Sequence, residues 1–288
     1  MKTHLSCIPC FFKQALEAAR LAGANEVTQK KVLDELALSL GDFSLDCCPP
    51  QMGKIIYGLV RKITGKDDPF KEIKDKSNKF ALALYPEMKK KIEDSDDRLL
   101  AAVELAIAGN IIDYGVKNSL EIEKEIEKFL NQDFDINSKN KKAKFDYQDF
   151  KQALDRVGSV LYLADNAGEV VFDRLLIEEM HKKVIYAVKE SPIINDALAE
   201  DAHTCGIHKL AQVISSGSDA PGTILDICSK DFLKIYNQAE LIISKGQGNF
   251  EALNNQTTRP IFFLFKVKCP VLAQEINCKL GSIVLWKS

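Results

Sequence analysis

The stretch SVLYLADNAGEVVFDRLL, residues 159–176, sets an apolar run before a polar tip at Asp165, Asn166 and Glu169, and follows the tip with a second apolar-periodic run. It reads as strand, turn and helix start, which is where α/β proteins keep their chemistry. The same grammar continues toward the C-terminus. The short β-rich runs KVIYAVK (183–189), LAQVISS (210–216), LIISKG (241–246) and PIFFLFK (260–266) alternate with helix-length segments. That alternation predicts a largely parallel sheet covered on both faces, a Rossmann-like three-layer α/β/α domain. The final SIVLWK (282–287) is expected to add an edge strand.

Toward the N-terminus the pattern is helical. Phe12, Ala15, Leu16 and Ala19 recur at helical spacing before Gly23, and similar patterns fill 27–43, 50–65, 69–95 and 97–115 with Pro and Gly near their ends. The segment 133–147, DFDINSKNKKAKFDY, is polar and lysine-rich and reads as a surface loop or linker. Its lysines have no accompanying aromatic platform, so a solvated loop is favoured over an RNA contact. The expected division is a helical N-terminal domain or cap over 1–150 and a Rossmann-like domain over 151–288.

Composition bounds the function. The chain has 288 residues, 46% hydrophobic and 28% charged, with a net charge of −2. This is an ordinary globular composition with no global pull toward nucleic acid or an anionic membrane, so a small-molecule partner is expected. No apolar stretch approaches the roughly 20 residues of a membrane span, and the N-terminus turns amphipathic where a signal peptide would be apolar. The cytoplasm is the default expectation. Eight scattered cysteines do not make the dense framework of a small secreted domain.

Ligands in such sheets bind outside the carboxyl ends of the strands. There the sequence offers Asp165 and Asn166, then Lys189, Asn195, Asp196 and Asp201, then SSGSDAPGT (215–223), then SKGQGN (244–249). Oxygen ligands from Asp165, Asn166 and Asp196 suit a hard divalent cation such as Mg²⁺ or Mn²⁺, while helix capping is the plain alternative for each. Gly217 and Gly222 permit close backbone approach, Ser216 beside them is a further substrate-binding candidate, and Thr223 is placed to cap the next helix, whose N-terminal amides would attract phosphate. Lys245 is a point charge able to neutralise a phosphoryl oxygen, and Gly246 follows it. Glu251 occupies the third glycine position of a dinucleotide-type pattern and would repel a pyrophosphate. No Walker-type or G-x-S-x-G motif is present.

The order CIPC, AGNIID, ADNAGE, SPIINDALAEDA, GSDAPGT and SKGQGNFE resembles the damage-control phosphatase family, formerly the domain-of-unknown-function family 89, in its compact prokaryotic branch with an N-terminal Cys-x-x-Cys. The resemblance spans nearly the whole chain. It implies a helical N-terminal portion on an α/β/α domain, and removal of phosphate from small phosphometabolites such as sugar phosphates or phosphopantetheine-like damaged metabolites. It implies a divalent cation, Mg²⁺, Mn²⁺, Co²⁺ or Ni²⁺, on Asp165, Asn166 and Asp196. It also implies phosphate contact by Lys245 and a site-facing pair, Asn110 and Asp113, from the helical half. Asp165, Asp196 and Asp113 are then the catalytic candidates, with Asp196 or Asp113 orienting the nucleophile. A covalent route through Asp165 is less favoured, because haloacid-dehalogenase-type enzymes need a second Asp where this chain has Ala167.

Cys7 and Cys10 have metal-ligand or redox spacing, but no strand precedes them as a thioredoxin-like site requires. A structural zinc, a local disulfide and plain buried thiols stay open for them. Two further function classes also stay open: an S-adenosylmethionine-dependent carboxyl methyltransferase and a non-catalytic metabolite-binding module.

Overall fold

Neighbouring residues of each strand bury against opposite faces of one sheet, and this alternation organises the molecule. The computed structural model describes residues 1–109, 142–254 and 259–288. Among them, β1 (Lys142–Phe145), β2 (Ser159–Leu163), β3 (Lys183–Val188), β4 (Gln212–Ser215), β5 (Ile242–Lys245), β6 (Ile261–Lys266) and β7 (Ile283–Lys287) form a seven-stranded sheet in the order β1-β7-β6-β5-β2-β3-β4. Val160, Tyr162, Tyr186, Phe262 and Leu264 enter one core; Leu161, Leu163, Ala187, Phe263 and Phe265 enter the other. Burial on both faces is why these strands read as continuous apolar runs.

The first core is closed by α4 (Lys71–Glu93), α5 (Arg98–Ala108), α6 (Tyr147–Arg156) and α7 (Glu169–Met180). The second is closed by α9 (Lys230–Gln238), α10 (Gln247–Leu253) and α11 (Pro270–Glu275), while the short α8 (Ala199–Thr204) follows the loop after β3. A third core belongs to α1 (Cys7–Leu21), α2 (Glu26–Leu40) and α3 (Pro49–Thr64), with Phe70 and Ile193 packed into it. Gly53 of α3 lies so close to Pro221 that an added Cβ would sit 2.5 Å from its Cγ. Lys54 pairs with Asp219 at 2.6 Å, and Arg61 donates to the Pro192 carbonyl at 2.8 Å. Through these contacts α3 rests on the loops that follow β3 and β4.

The sheet is mixed α/β and mostly parallel, as expected, but its far side differs from the sequence reading. β7 is not an edge strand: it runs antiparallel to β6 and has β1 as a parallel partner on its other side. β1 lies inside the lysine-rich segment read as a loop. Edge strands are short and tolerate charge, and Lys144 lies over the Trp286 ring at 3.3 Å, so its stem covers apolar surface. Of the N-terminal helices, α4 and α5 share a core with the sheet, while α1–α3 form a core of their own.

Candidate active site

The strand order sets where a site can form. From β2 the chain moves to β3 and β4 on one side and then returns to place β5 on the other, so β2 and β5 flank the point where the order reverses. The carboxyl ends at such a reversal are where open α/β sheets bind ligands. Asp165 follows β2 and Gly246 follows β5. Gly246 holds φ 80° and ψ 161°, a region open essentially to glycine alone, and a Cβ on it would lie 1.9 Å from Asp165 Oδ2. The backbone therefore passes directly against the carboxylate.

Asn166 and Asp196 face each other across an antiparallel bridge. The Ala197 amide donates to the Asp165 carbonyl and the Ala167 amide to the Asn195 carbonyl, each at 2.8 Å. Ile194, just before this bridge, has φ 47°, a strained setting for a β-branched residue that costs about 1–3 kcal/mol. It is anchored by packing against the helical unit. The bridge brings Asp165, Asn166 and Asp196 together as the sequence predicts, all less than a tenth exposed.

Asn166 Nδ2 donates to Asp165 Oδ2 at 3.0 Å and to Glu169 Oε1 at 2.8 Å, which leaves its Oδ1 as the oxygen available to a cation. Asp196 Oδ2 is buried without a hydrogen bond, and the Lys189 ammonium stands 3.6 Å away while donating to the Gly222 carbonyl at 2.6 Å. Lys245 is fully buried, so it is no solvated strand-end charge. Its ammonium donates to Asp173 at 2.6 Å and lies 3.3 Å from Glu169. Burial alone would depress its pKa, but the two carboxylates outweigh this and hold it above the ordinary lysine value.

Four buried carboxylates, Asp165, Glu169, Asp173 and Asp196, thus face two buried ammoniums, Lys189 and Lys245. Burial first, then the charges of Glu169 and Asp196, push the Asp165 carboxyl well above the usual range. Burial pushes Asp196 up to about 6 against the pull of Lys189. The crowding of buried acids, the Asp196 oxygen without a hydrogen bond and the hard-oxygen donor set all fit a divalent cation on Asp165, Asn166 and Asp196. Among the described residues no three His, Cys, Asp or Glu side chains form a ready metal cluster, so this set rests on two carboxylates and one amide oxygen.

The other expectations divide. Gly217 has φ 73° and presses on Ser229, and the Ser216 hydroxyl accepts from the Ser218 amide at 3.3 Å, so both shape the loop after β4. Thr223 caps no helix; α9 begins at Lys230 with Ser229 as its cap, and Thr223 instead donates to Asn249 at 2.8 Å. Asn249 in turn donates to the carbonyls of Ala164 and Lys245, tying the ends of β2 and β5. Asn110 and Asp113 lie outside the described residues. Cys7 is buried and Cys10 exposed, where it accepts from Gln14 at 3.2 Å; both are free thiols, and no zinc-binding cluster forms among the described residues.

The sequence reading gave no role to Glu169 and overlooked Asp173, Lys74 and Asn78. Asn78 on α4 accepts from the Gly168 amide at 2.7 Å and donates to Asp201 at 2.7 Å. Lys74, one turn earlier and fully buried, pairs with Asp68 at 2.7 Å. A signal existed: Lys74, Ser77 and Asn78 share a face with Ala81, so the polar residues occupy the helix stripe that packs inward.

Three comparisons accompany this geometry. A sequence model of the damage-control phosphatase ARMT1-like domain matches residues 3–284. An uncharacterized protein of Methanocaldococcus jannaschii is 36% identical over 100% of this chain and 96% of its own, and a damage-control phosphatase of Pyrococcus horikoshii is 35% identical over 100% and 99%. A damage-control phosphatase of Archaeoglobus fulgidus is 32% identical over 99% and 98%. The crystal structure of a DUF89 family protein from Pyrococcus horikoshii superposes with a TM-score of 0.87 at 35% identity, covering 100% of this chain and 99% of that one.

Proposed function

The chain belongs to the damage-control phosphatase ARMT1-like domain family, and from that membership we propose that it is a divalent-metal-dependent phosphatase of small phosphorylated metabolites. The observation that carries the metal is the crowding of buried carboxyl groups around Asp165, which hold protons on their own and ionise there only with a counter-charge. Asp165, Asn166 and Asp196 hold the cation. Bound there, it supplies charge neutralisation at the phosphoryl group and acidifies a water molecule. Asp196 or Asp113 orients the attacking water, and as its oxygen bonds to phosphorus and the ester P–O bond breaks, the water's proton ends on the departing alcohol. Lys245, with two N–H groups turned to Asp173 and Glu169, directs the third at a phosphoryl oxygen as charge develops. The resemblance assigns the substrate contacts to Ser216, Gly217 and Gly246, and to Asn110 and Asp113. The substrate class is sugar phosphates or phosphopantetheine-like damaged metabolites, and Mg²⁺, Mn²⁺, Co²⁺ or Ni²⁺ is the cation.

A carboxyl methyltransferase has no use for a buried acidic cluster of this kind, and the names of the relatives do not favour it. The test is a panel of phosphometabolites offered to chelator-treated protein with each of the four metals. Release of inorganic phosphate only with metal is expected, with Asp165→Asn losing both activity and metal binding, and with Lys245→Ala lowering kcat by roughly 10²-fold at unchanged metal affinity. Methyl transfer, or substrate binding without turnover, would overturn the reading.

A further inference from the structure

Asp173 stands behind the site, on α7 one turn after Glu169, and is fully buried. It accepts three hydrogen bonds: Lys245 Nζ and Tyr162 OH on Oδ1 at 2.6 and 2.7 Å, and Tyr186 OH on Oδ2 at 2.7 Å. The two tyrosines come from adjacent strands β2 and β3, and their rings stack at 5.3 Å with 25° between planes. Burial and the nearby carboxylate push both phenols well above their ordinary pKa, so they stay donors. No freedom remains to this carboxylate: its backbone is helical, its two oxygens are held from one side by a rigid aromatic stack, and the ammonium meets it from the other.

We propose that Asp173, clamped by Tyr162 and Tyr186, is the positioning residue that aims Lys245 at the transferring phosphoryl group. This rests on the phosphatase reading of Lys245. A lysine stem is flexible, and a point charge acts in a transition state only if it is already in place. The network is poorly explained as a stability device, because a buried ion pair is often matched or bettered by apolar residues of similar volume. It is well explained as pre-organisation. Glu169, one helical turn from Asp173, touches the same ammonium and also holds Asn166, so the aimed lysine and the cation ligand share a support.

The test uses full-length, metal-loaded protein and p-nitrophenyl phosphate, with bound metal counting the folded sites. Asp173→Asn, which keeps the shape and removes the charge, is expected to lower kcat per site by about 10-fold or more while KM moves by less than about threefold. The double change Tyr162→Phe with Tyr186→Phe keeps the ring stack and removes only the clamp; it is expected to lower kcat roughly three- to tenfold with metal affinity unchanged. A purely structural role would reduce the number of folded sites and the melting midpoint without altering kcat per site. Normal kcat per site in the tyrosine double variant, beside a Lys245→Ala variant that has lost turnover, overturns the positioning role and leaves the phosphatase reading intact. Normal turnover of Lys245→Ala overturns the role given to the lysine in that reading, and the positioning role with it. If Asp173→Asn fails to fold, the tyrosine pair decides.

Discussion

Gly246 has no room for a side chain, because its Cβ position is taken by the Asp165 carboxylate and its backbone angles suit glycine alone. Gly246→Ala must therefore displace Asp165 or the start of α10. The backbone strain by itself costs about 1–3 kcal/mol, and the moved carboxylate leaves the cation position. The expected outcome is a lowered melting midpoint together with weaker binding of Mn²⁺ in a metal titration. Gly23, which also has positive φ but nothing within 4 Å of its Cβ position, is the control: Gly23→Ala should incur a positive-φ backbone cost without touching metal binding. Equal metal affinity in the two variants would remove Asp165 from the cation site.

At the scale of elements, α4 joins the sheet core to the site turn. Its Asn78 satisfies the Gly168 amide and the Asp201 carboxylate at once, both buried. Asn78→Ala leaves two buried polar groups without this partner, and each such loss costs about 1–3 kcal/mol. The variant should unfold at lower denaturant with an unchanged slope, and its activity should fall because the Gly168 turn carries Asp165 and Asn166. Asn78→Asp should be as damaging, since a carboxylate cannot donate to Asp201. Stability within about 0.5 kcal/mol of the parent would mean that the turn is held by the sheet alone.

For the whole molecule, the buried acids set a pH dependence. Asp196, pushed up to about 6, and Asp165, pushed well above the usual carboxylate range, hold protons in the folded state that the unfolded chain releases. Below about pH 4 both states are protonated and these groups cost nothing. As pH rises toward 6 and beyond, the unfolded state ionises first, so the stability of metal-stripped protein falls. Glu251, raised to about 7 by burial, adds to the decline from a separate place. Divalent metal binds the ionised carboxylates, so Mn²⁺ should raise the melting midpoint strongly at pH 7.5 and little at pH 5. The double variant Asp165→Asn with Asp196→Asn should lose the metal effect and keep a shallower decline that belongs to Glu251 and the buried Asp201. A metal effect independent of pH would count against carboxylate ligands.

The apolar runs and their polar ends determined much of this by themselves. Strands buried on both faces must be continuous and apolar, parallel sheets place ligands at carboxyl ends, and so the convergence of Asp165, Asn166 and Asp196 at strand ends could be read without coordinates. The lysine-rich β1 could not, because an edge strand is identified by its partner, here β7 and Trp286, and not by its own composition. Nor could the partners of Lys245. Local periodicity fixes which face of α7 carries Glu169 and Asp173, but only the order of strands puts β5 beside β2, and with it the ammonium over both carboxylates and two tyrosines from separate strands beneath them. Hydrogen bonds between residues 72 positions apart in the chain carry no sequence signature, since burial and charge compensation are properties of the assembled core.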